Sequence, residues 1–383
     1  MRVLILADER QKEGGNNEII KHMINALYDH KIHVKYINIE EYLPRYLPRK
    51  WKDLFRIFYL SKISTADFSG FDISITLQPN SHCIRHRNHI IYFQHHIKQY
   101  YDLFWQSFKQ KKGIRKKIVY LLLTLIYRLG DSIYLTPNLK RSRIVVNSQT
   151  VGTRLKKYNR ISNFSVIHPG CNMVEAISQA QSTTLWELHK KNERFFILAF
   201  SRLNVIQKGI DVIIKTARII PDYDFVIAGP YDSTIENIDN QTLPSNVQLI
   251  VKEFSEQEKA ELFSNCDVFL APYIEEDFGI TPLEANAYGK PVVYCDDSGE
   301  IVEIQKHKHT GFMCRRTPQE IAKGIDYCIK NRENMKSACI DNASKYTWNK
   351  FECSFRTYIN DLNIQEQSEG IENRGSMDAK KKK

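Results

Sequence analysis

Two carboxylates in one short loop are the strongest chemical signal in this chain. Glu276 and Glu284 stand eight positions apart in the run E-E-D-F-G-I-T-P-L-E, which follows the apolar stretch D-V-F-L-A-P-Y. That stretch predicts a buried strand, and Thr281 followed by Pro282 predicts the start of a helix. A loop between a buried strand and a helix N-terminus can bind phosphate, because free N–H groups and the helix dipole attract anions. Carboxylates in the same loop can accept hydrogen bonds from sugar hydroxyls.

The same residues also allow a purely structural interpretation. Thr281 and Glu284 have the spacing of a capping box, in which the glutamate closes on the N–H of the cap residue. Glu276 lies in a polar Glu-Glu-Asp turn, where a solvated carboxylate is the ordinary outcome. The combination of two carboxylates and a glycine turn in one loop favours the binding-site interpretation.

A second group of residues could bind the same kind of ligand. Residues 200–211 read F-S-R-L-N-V-I-Q-K-G-I-D, so that a predicted strand leads to Arg202, and Lys208 opens the next helix. Arginine offers a planar fork and lysine a mobile point charge, and both could contact one diphosphate. Two basic residues around a loop are usually just solvated, so this pair gains weight from the neighbouring phosphate loop.

Alternating strand and helix signals run through both halves of the chain and place these loops. Apolar residues at helical spacing, as in Asn17–His30, Gly209–Ile219 and Pro282–Tyr288, predict helices between short apolar strands. The predicted strands are Arg2–Ala7, His33–Ile39, Asp72–Leu77, His89–Phe93, Arg143–Asn147, Asn163–His168, Phe195–Phe200, Asp224–Ala228, Val247–Val251, Val268–Pro272 and Pro291–Cys295. This order predicts an α/β fold of two Rossmann-like, doubly wound parallel-sheet domains facing across a cleft.

Two domains are also expected from the length of 383 residues. We predict an N-terminal Rossmann-like domain at residues 1–175 and a C-terminal one at residues 183–346, joined by the small polar run Ala176–Ser182. A helix at about 347–363 is expected to complete the first domain. The polar end at 364–383, which finishes K-K-K-K, is predicted to be a disordered basic tail.

Positive charge is concentrated in the first half of the chain. The formal net charge is +11, and residues 1–180 contain 29 Lys and Arg residues against 13 Asp and Glu residues. The first half is therefore expected to face an anionic partner. Nucleic acid is not favoured as that partner, because no recognition motif accompanies the charge.

Cysteine usage and the first residues predict a cytoplasmic protein. None of the eight cysteines forms a C-x-x-C pair, which favours reduced thiols. The start M-R-V-L-I-L-A-D-E-R has too short an apolar run for a signal peptide. No stretch reaches about 18 apolar residues, so no membrane-spanning helix is expected.

One segment predicts contact with an anionic membrane surface. Residues 106–117 read Q-S-F-K-Q-K-K-G-I-R-K-K, and the strongly apolar run I-V-Y-L-L-L-T-L-I-Y follows directly. Basic residues beside an apolar helix suit anionic headgroups. The alternative is a core helix with a solvated lead-in. On the first interpretation the protein is peripheral on the inner face of the membrane, with a lipid-linked acceptor.

These motifs give the chain a family resemblance. It resembles the retaining GT-B glycosyltransferases of the family-four (glycosyl transferases group 1) type, and the match covers most of the chain. The motifs are Glu276-x7-Glu284 followed by A-N-A-Y-G-K-P-V-V, then S-R-L-N-V-I-Q-K-G-I-D-V-I-I-K-T-A, and more weakly G-G-N-N, V-V-N-S-Q-T and V-I-H-P-G-C-N. The resemblance implies transfer of a hexose-type sugar from a nucleotide sugar to a glycan or lipid-linked acceptor held by the first domain.

The resemblance also implies roles for individual positions. Arg202 and Lys208 would neutralise the donor diphosphate, Glu276 would contact the transferred sugar and Glu284 would hold the ribose. Backbone N–H groups would come from Phe278, Gly279, Ile280 and Thr281, and close approach to the donor would be permitted by Gly14 and Gly15. His95 matches the family's first-domain histidine near the anomeric carbon, with His96 as the alternative.

Two positions depart from the family pattern. Ser201 stands where a glycine is usual, and residues 251–254, V-K-E-F, lack the usual glycine beside the base. The second departure leaves the identity of the base open.

The implied chemistry needs no cofactor and no metal. Arg202, Lys208 and the helix N-terminus at Thr281 would stabilise the leaving diphosphate. Configuration would be retained, with the departing phosphate helping to deprotonate the acceptor, so the two glutamates would bind rather than transfer protons. Asp222-Tyr-Asp224 imitates a metal-binding D-x-D motif but favours a turn.

A dense histidine patch and three other functions are the remaining alternatives. The patch could suit zinc by spacing, but Arg85 and Arg87 within it repel a cation. Its members are His82, His86, His89, His95 and His96. The other functions are a catalytically silent nucleotide-sugar-binding partner subunit of the same fold, a nucleic-acid binder and a GT-B-shaped epimerase.

Overall fold

The computed structural model describes residues 2–8, 15–37, 54–173, 194–239 and 242–362. Within these ranges the chain forms two parallel sheets of six strands each. The predicted linker at Ala176–Ser182 and the predicted tail at 364–383 lie outside the described residues. The predicted fold class, two doubly wound α/β units, is confirmed.

The first sheet has the strand order β2-β1-β3-β4-β5-β6. Its strands are β1 (Arg2–Asp8), β2 (Lys31–Ile37), β3 (Ile73–Thr76), β4 (His89–Phe93), β5 (Arg143–Val146) and β6 (Ser165–Val166). The α-helices of this part are α1 (Gly15–Ala26), α2 (Arg56–Ser64), α3 (Phe104–Lys109), α4 (Ile114–Gly130), α5 (Thr136–Arg141) and α6 (Gln149–Asn159). A π-helical turn, Asp131–Leu135, joins α4 to α5.

The second sheet has the strand order β12-β11-β10-β7-β8-β9. Its strands are β7 (Phe196–Phe200), β8 (Asp224–Gly229), β9 (Val247–Val251), β10 (Val268–Ala271), β11 (Val292–Cys295) and β12 (Gly311–Cys314). The helices are α7 (Ile210–Ile219), α8 (Glu256–Asn265), α9 (Ile280–Ala287), α10 (Ile301–Ile304) and α11 (Pro318–Ala343).

Both faces of each sheet are buried, which is why the strands read as continuous apolar runs. Along β1, Val3 and Ile5 point into one apolar cluster, whereas Leu4 and Leu6 point into another. Ile197 of β7 likewise faces a different cluster from its neighbour Leu198. Side chains that alternate between two cores explain why no polar alternation marked these strands.

The last described helix, α12 (348–362), packs against the first sheet although it follows the second one in sequence. Its side chains Phe351 and Phe355 are buried with Val3 and Met23 in one cluster. The ring of Phe355 also lies edge-on to Tyr92 of β4 with 6.5 Å between the ring centroids. The chain therefore crosses back to the first sheet.

Most strand predictions hold closely, whereas one helix begins earlier than predicted and one strand was not predicted. β4 and β9 have the predicted bounds. The helix predicted at Pro282–Tyr288 begins instead at Ile280, because Gly279 takes a left-handed conformation and serves as the cap. Strand β12 was not predicted, because it has only four residues and follows a turn rich in lysine and histidine.

The order of the second sheet creates a switch point between β7 and β10. Strand β7 pairs with β8 on one side and with β10 on the other. The connections leaving β7 and β10 therefore run to opposite sides of the sheet, which opens a crevice at their carboxyl ends. The loops after these two strands carry Arg202, Lys208 and Glu276.

Replacing Phe355 with alanine should destabilise the first domain. The side chain is fully buried, and truncating a buried phenylalanine typically costs about 3–5 kcal/mol of unfolding free energy. Urea denaturation followed by circular dichroism measures the change. Lys350→Ala, at an exposed position of the same helix, is the matched control and should lie within about 0.5 kcal/mol of wild type. Equal stabilities for the two variants would contradict the packing of α12.

Candidate active site

Two loops that are distant in sequence meet at the switch point. The N–H of Ile274, after β10, donates to the carbonyl oxygen of Gln207, after β7, at 2.8 Å. Next to this link, Lys208 Nζ lies 2.7 Å from Glu276 Oε2. The structure therefore brings two loops into direct contact. One is the basic loop (residues 201–209), which follows β7, and the other is the acidic loop (residues 272–279), which follows β10.

Glycine at position 209 lets the lysine loop approach the acidic loop closely. Gly209 has φ 65° and caps α7. A Cβ atom there would lie 2.4 Å from the carbonyl oxygen of Pro272, which a larger residue could not tolerate. The ammonium group of Lys208 then sits 4.0 Å above the ring of Tyr273. This cation–π contact and the ion pair to Glu276 fix the lysine at the base of the crevice.

Glu276 is held ionised by surrounding positive charge. Burial alone would raise the pKa of this carboxyl, but Lys208, Lys98 and Arg154 lower it well below its ordinary value. Glu276 is thus a permanent hydrogen-bond acceptor at neutral pH. A carboxyl of this kind is suited to binding hydroxyls and is poorly suited to donating a proton.

Lys208 can keep its carboxylate and still contact an incoming anion. Burial lowers the pKa of Lys208, and Glu276 partly offsets that effect. An ammonium group has three donors, and the contact with Glu276 uses one of them. A phosphate oxygen could take another, and its negative charge would favour the protonated lysine.

The N-terminus of α9 is available to a ligand. Its cap is Gly279, with φ 99°, and no side chain caps the helix. The capping-box interpretation of Thr281 and Glu284 is therefore wrong. The Thr281 hydroxyl instead lies 3.1 Å from the Tyr273 hydroxyl. The first N–H groups of a helix have no partner within it, so those near Gly279 and Ile280 can bind an anion.

Glu284 sits one turn into α9 and is almost buried. Its carboxylate accepts a hydrogen bond from Lys259 of α8 at 3.3 Å. Burial raises the pKa of Glu284, while Lys259 lowers it in part and Glu256 adds to the increase. This glutamate is less acidic than Glu276, so the two predicted carboxylates differ in their electrostatic surroundings.

A third loop, at residues 296–299, forms hydrogen bonds that hold the acidic loop in place, and it was not identified from the sequence. Asp297 accepts from the Glu275 N–H at 3.0 Å through its carbonyl oxygen, and the Ser298 hydroxyl donates to the Tyr273 carbonyl oxygen at 2.8 Å. Arg316 donates to the same carbonyl oxygen at 2.6 Å. The D-D-S-G turn after the predicted strand Pro291–Cys295 was the available signal, since neighbouring parallel strands end at one edge.

Arg154 of α6 grips the acidic loop from the first domain. Its guanidinium forms three ion pairs, with Asp277 at 2.5 Å, Glu275 at 2.8 Å and Asp102 at 3.3 Å. Burial alone would lower the pKa of Arg154, but Asp277, Asp102 and Glu275 raise it. Sequence reasoning did not identify this residue, because V-G-T-R-L-K-K reads as an ordinary basic helix.

Lys98 adds a second contact across the cleft and helps hold a strained residue. Lys98 Nζ lies 3.0 Å from the Asp277 carboxylate and 2.8 Å from the Glu275 carbonyl oxygen. Glu275 has φ 51°, which is uncommon for a residue other than glycine. Its carbonyl oxygen also accepts from Arg154 at 3.0 Å. The two cations therefore fix the backbone immediately before Glu276.

Arg202 differs from Lys208 in being exposed. It follows β7, and it forms no ion pair with any residue in the described parts of the chain. Its guanidinium can therefore turn toward a ligand in the crevice. At Ser201, the neighbouring position, a Cβ added at Gly229 would come 1.9 Å from the backbone carbonyl oxygen. The chain after β7 is thus packed closely on the end of β8.

The two adjacent histidines of the first domain have different surroundings. His95 is half-buried, and its Nδ1–H donates to the His96 carbonyl oxygen at 2.8 Å, which leaves Nε2 free for a ligand. His96 is buried, donates through Nε2 to Asn159 at 2.7 Å and packs against Tyr101. Since Lys98 contacts the acidic loop, the segment that carries His95 faces the crevice.

The glycine loop of the first domain is described only in part. Gly14 lies outside the described residues, and Gly15 is the first residue of α1. Phe278, predicted to supply a backbone N–H, is buried, and its ring stacks on His168 at 5.4 Å. The side chain of Phe278 is thereby engaged in packing between the domains.

The alternative metal-binding motifs have structural explanations. Asp224 begins β8, so the D-x-D run lies at the opposite edge of the sheet from the crevice. His82 Nδ1 and His89 Nε2 both contact the Thr76 hydroxyl, at 2.8 and 2.9 Å. Within the described ranges, no group of three or more His, Cys, Asp and Glu side chains is placed to hold a metal ion.

Comparison with known proteins agrees with this geometry. Residues 181–346 match the sequence model of the family "Glycosyl transferases group 1". The human protein "Alpha-1,3/1,6-mannosyltransferase ALG2" is 26% identical over 208 residues, which cover 49% of this chain and 50% of that protein. The chain spans about half the length or less of the first curated relatives that it matches. The predicted resemblance to group 1 glycosyltransferases is confirmed.

Solved structures extend the likeness in fold to nearly the whole chain. Sucrose-phosphate synthase from Thermosynechococcus elongatus gives a TM-score of 0.69 at 14% identity and covers 95% of this chain and 100% of its own. HepE from Anabaena, solved in complex with UDP-glucose, gives 0.66 at 16% identity and covers 94% and 100%. The architecture is GT-B, as predicted.

Removing Arg154 should loosen the contact between the domains. Arg154→Ala leaves Asp277 and Asp102 without their shared cation, so we expect nucleotide-sugar affinity to fall at least about tenfold, equivalent to about 1.4 kcal/mol. Calorimetric titration measures the affinity, and small-angle scattering should show a larger radius of gyration. Lys156→Ala, at an exposed position of the same helix, is the control. A wild-type affinity and a wild-type radius of gyration in Arg154→Ala would contradict the role of Arg154 in holding the two domains together.

If Glu284 holds the ribose of a donor nucleotide, as the sequence predicts, donor affinity should fall in acid, because the carboxyl must be ionised to accept hydrogen bonds from two hydroxyls. Its pKa is raised above the ordinary 4.5, so we expect affinity to fall as pH decreases through that raised value. Lys259→Ala removes the group that lowers this pKa and should move the acid limb to higher pH. Titration calorimetry at a series of pH values measures this decrease in affinity, and Glu284→Gln should not show it. A limb unmoved in Lys259→Ala would contradict the assignment.

Proposed function

We propose that this chain, which carries a group 1 glycosyl transferase sequence at residues 181–346 on a GT-B fold, transfers a hexose-type sugar from a nucleotide diphosphate to an acceptor. The observation that carries the proposal is the contact of Lys208 with Glu276 at the switch point, beside the uncapped N-terminus of α9. A cation, a carboxylate that can accept hydrogen bonds from a sugar, and the N-terminus of a helix that can bind an anion therefore lie together in one crevice.

The positive groups of the crevice would make the diphosphate a good leaving group. As the bond to the anomeric carbon breaks, negative charge grows on the phosphate oxygens. On this proposal Lys208, Arg202 and the N–H groups of α9 would surround those oxygens, and fixed donors of this kind are the main electrostatic contribution to such reactions. The chain's own residues would thereby stabilise the leaving group without a metal.

The two glutamates would bind the donor rather than move protons. Glu276, whose pKa is lowered by three cations, would accept hydrogen bonds from the transferred sugar. Glu284, at the side of the crevice near α8, would accept hydrogen bonds from the ribose. His95, through its free Nε2, would contact the sugar from the first domain. As the family resemblance implies, the departing phosphate would help to deprotonate the acceptor, and configuration would be retained.

The comparisons support a nucleotide-sugar donor. HepE has been solved with UDP and with UDP-glucose, and the name of the human relative includes mannosyltransferase. For this chain we propose a nucleotide hexose as donor and a glycan or lipid-linked molecule as acceptor. We place the enzyme in the cytoplasm, in contact with the inner face of a membrane, because the first half of the chain carries the excess of positive charge.

Replacing Lys208 with alanine should abolish most of the turnover while the protein stays folded. Loss of one electrostatic donor to a developing anion typically lowers kcat by about 10²–10³-fold. The assay measures transfer or hydrolysis with a panel of nucleotide sugars. Lys215→Ala, on the helix α7 that follows Lys208, is the control, because Lys215 is exposed and pairs with Asp211.

Three outcomes of that assay are informative. Loss of turnover in Lys208→Ala with wild-type turnover in Lys215→Ala supports the proposal. Unchanged kinetics in Lys208→Ala would refute the phosphate role of this lysine. If wild type binds one donor but neither transfers nor hydrolyses any, the chain is a catalytically silent nucleotide-sugar-binding subunit.

A further inference from the structure

Helix α4 exposes its apolar side chains and buries polar or small ones, which is the reverse of an ordinary surface helix. The residues that it buries against the protein are hydroxyl-bearing or small, namely Tyr120, Thr124, Tyr127 and Gly130. Its exposed apolar residues, continued into the next helical turn, are Ile114 (76% exposed), Ile118 (51%), Val119 (52%), Leu121 (46%), Leu122 (52%), Leu125 (63%), Leu129 (46%) and Ile133 (47%). A surface helix normally directs its apolar stripe toward the core.

The exposed residues form one continuous stripe. Positions 114, 118, 121, 122, 125, 129 and 133 recur at intervals of three and four, which places them on one side of a helix. We name this set the α4 stripe. With about 1.5 Å of rise per residue, the stripe runs for roughly 28 Å along the surface. A contiguous apolar surface of this length marks an interaction site.

The opposite side of α4 is fixed to the first domain, so the stripe is held outward. Tyr127 stacks on Tyr100 with 4.1 Å between ring centroids. At the end of the helix, the fully buried Arg56 donates to the Tyr127 carbonyl oxygen at 2.7 Å and pairs with Asp131 at 2.7 Å. These polar contacts leave α4 little freedom to rotate its apolar side inward.

The same contacts argue against a helix that crosses a bilayer. In the described parts of the chain, one helical stretch, Ile114–Arg141, is long and apolar enough to span a membrane by length and composition. Crossing would require Asp131 to leave Arg56, and stranding one partner of a buried ion pair is strongly unfavourable. A helix that lies along the surface keeps both the ion pair and the tyrosine contacts.

Positive charge surrounds the start of the stripe. Six basic residues precede α4 or lie in its first turn, and none forms an ion pair with a residue that the structure describes. They are Lys109, Lys111, Lys112, Arg115, Lys116 and Lys117. Trp105, which is 66% exposed, lies on the helix just before them. Free cations and an exposed indole beside an apolar stripe suit the headgroup region of an anionic bilayer.

We infer that the α4 stripe docks in the plane of an anionic lipid bilayer, with its basic residues on the headgroups. Charge complementarity selects this occupant over a second copy of the chain. A symmetric dimer with its two stripes parallel would bring the two basic groups together, which is repulsive. An antiparallel dimer would place each basic group beside the far end of the partner's stripe, where Arg128 adds a further cation rather than an anion. An anionic bilayer satisfies the apolar side chains and the cations at the same time.

Docking through this surface would place the crevice near the membrane. Tyr100, which stacks on Tyr120 and Tyr127 of α4, ends the short turn that begins at Lys98. Lys98 in turn pairs with Asp277 of the acidic loop. Two residues of one short turn therefore link α4 to the crevice: Tyr100 contacts the helix, and Lys98 contacts the acidic loop. The consequence that the acceptor is presented by a lipid rests on the proposed function, whereas docking itself does not.

Vesicle co-sedimentation with the full chain tests the inference. Wild type should pellet with vesicles of mixed phosphatidylcholine and phosphatidylglycerol and should bind vesicles of phosphatidylcholine alone at least about tenfold more weakly. Binding should fall steeply at about 1 M salt, where screening shortens the Debye length to about 3 Å. Alkaline carbonate should release the bound protein, as expected for a helix that does not cross the bilayer.

Matched variants identify the surface. Leu122→Glu/Leu125→Glu should lower vesicle binding at least about tenfold, since it places two carboxylates in the stripe. Ile219→Glu, at an exposed apolar position of α7, is the control and should bind as wild type does. Lys112→Ala/Lys116→Ala should lower binding to anionic vesicles, and Lys330→Ala should not. Circular dichroism melting confirms that each variant is folded.

Several results would overturn the inference. They are failure of wild type to bind anionic vesicles, equal binding by Leu122→Glu/Leu125→Glu, retention after carbonate extraction, and a dimer that the double variant dissociates. Hydrolysis of soluble nucleotide sugar is measured on the same variants and should be unchanged. If wild type neither transfers nor hydrolyses any nucleotide sugar but still binds vesicles, the proposed function is refuted and docking stands.

Discussion

The largely buried contact of Lys208 with Glu276, whose side chains are 15% and 14% exposed, is the interaction on which the architecture of the site depends. It brings a cation and a carboxylate together at the point where the second sheet reverses its strand order. Neither charge could be buried alone at acceptable cost. Each is supported by further groups, with Tyr273 beneath the lysine and cations of the first domain beside the glutamate. The chain's own charges therefore organise the crevice, and the proposed anionic donor would meet a set of fixed charges.

The loop that carries Glu276 also connects the two domains. The loop that carries Glu276 is built by the second domain, yet Arg154 and Lys98 of the first domain fix its backbone and neighbouring acids. Lys98 also begins the turn that packs under α4. A chain of contacts thus runs from the outward stripe, through a tyrosine cluster, to the residue just before Glu276. Donor binding, domain contact and surface orientation share one set of residues.

Much of the fold could be predicted from the sequence because its determinants are local. Short apolar runs define buried parallel strands, and β4 and β9 have the predicted bounds. Lys208 and Glu276 were both proposed from loops near strand ends, and their contact follows from strand order. Arg154 could not be found this way, because its importance comes from three acids that folding brings together, two on the acidic loop and one in the first domain. The start of α9 was misplaced because Gly279 caps it through backbone conformation rather than through a side-chain bond.

The most direct test is a crystal structure of the protein with a hydrolysis-resistant nucleotide sugar. The account predicts the diphosphate within about 3 Å of Lys208 Nζ and of the first N–H groups of α9, as expected for charge-assisted hydrogen bonds. It also predicts the ribose hydroxyls on Glu284 and the sugar against Glu276. A diphosphate bound away from Gly279, with the Lys208–Glu276 pair untouched, would contradict it.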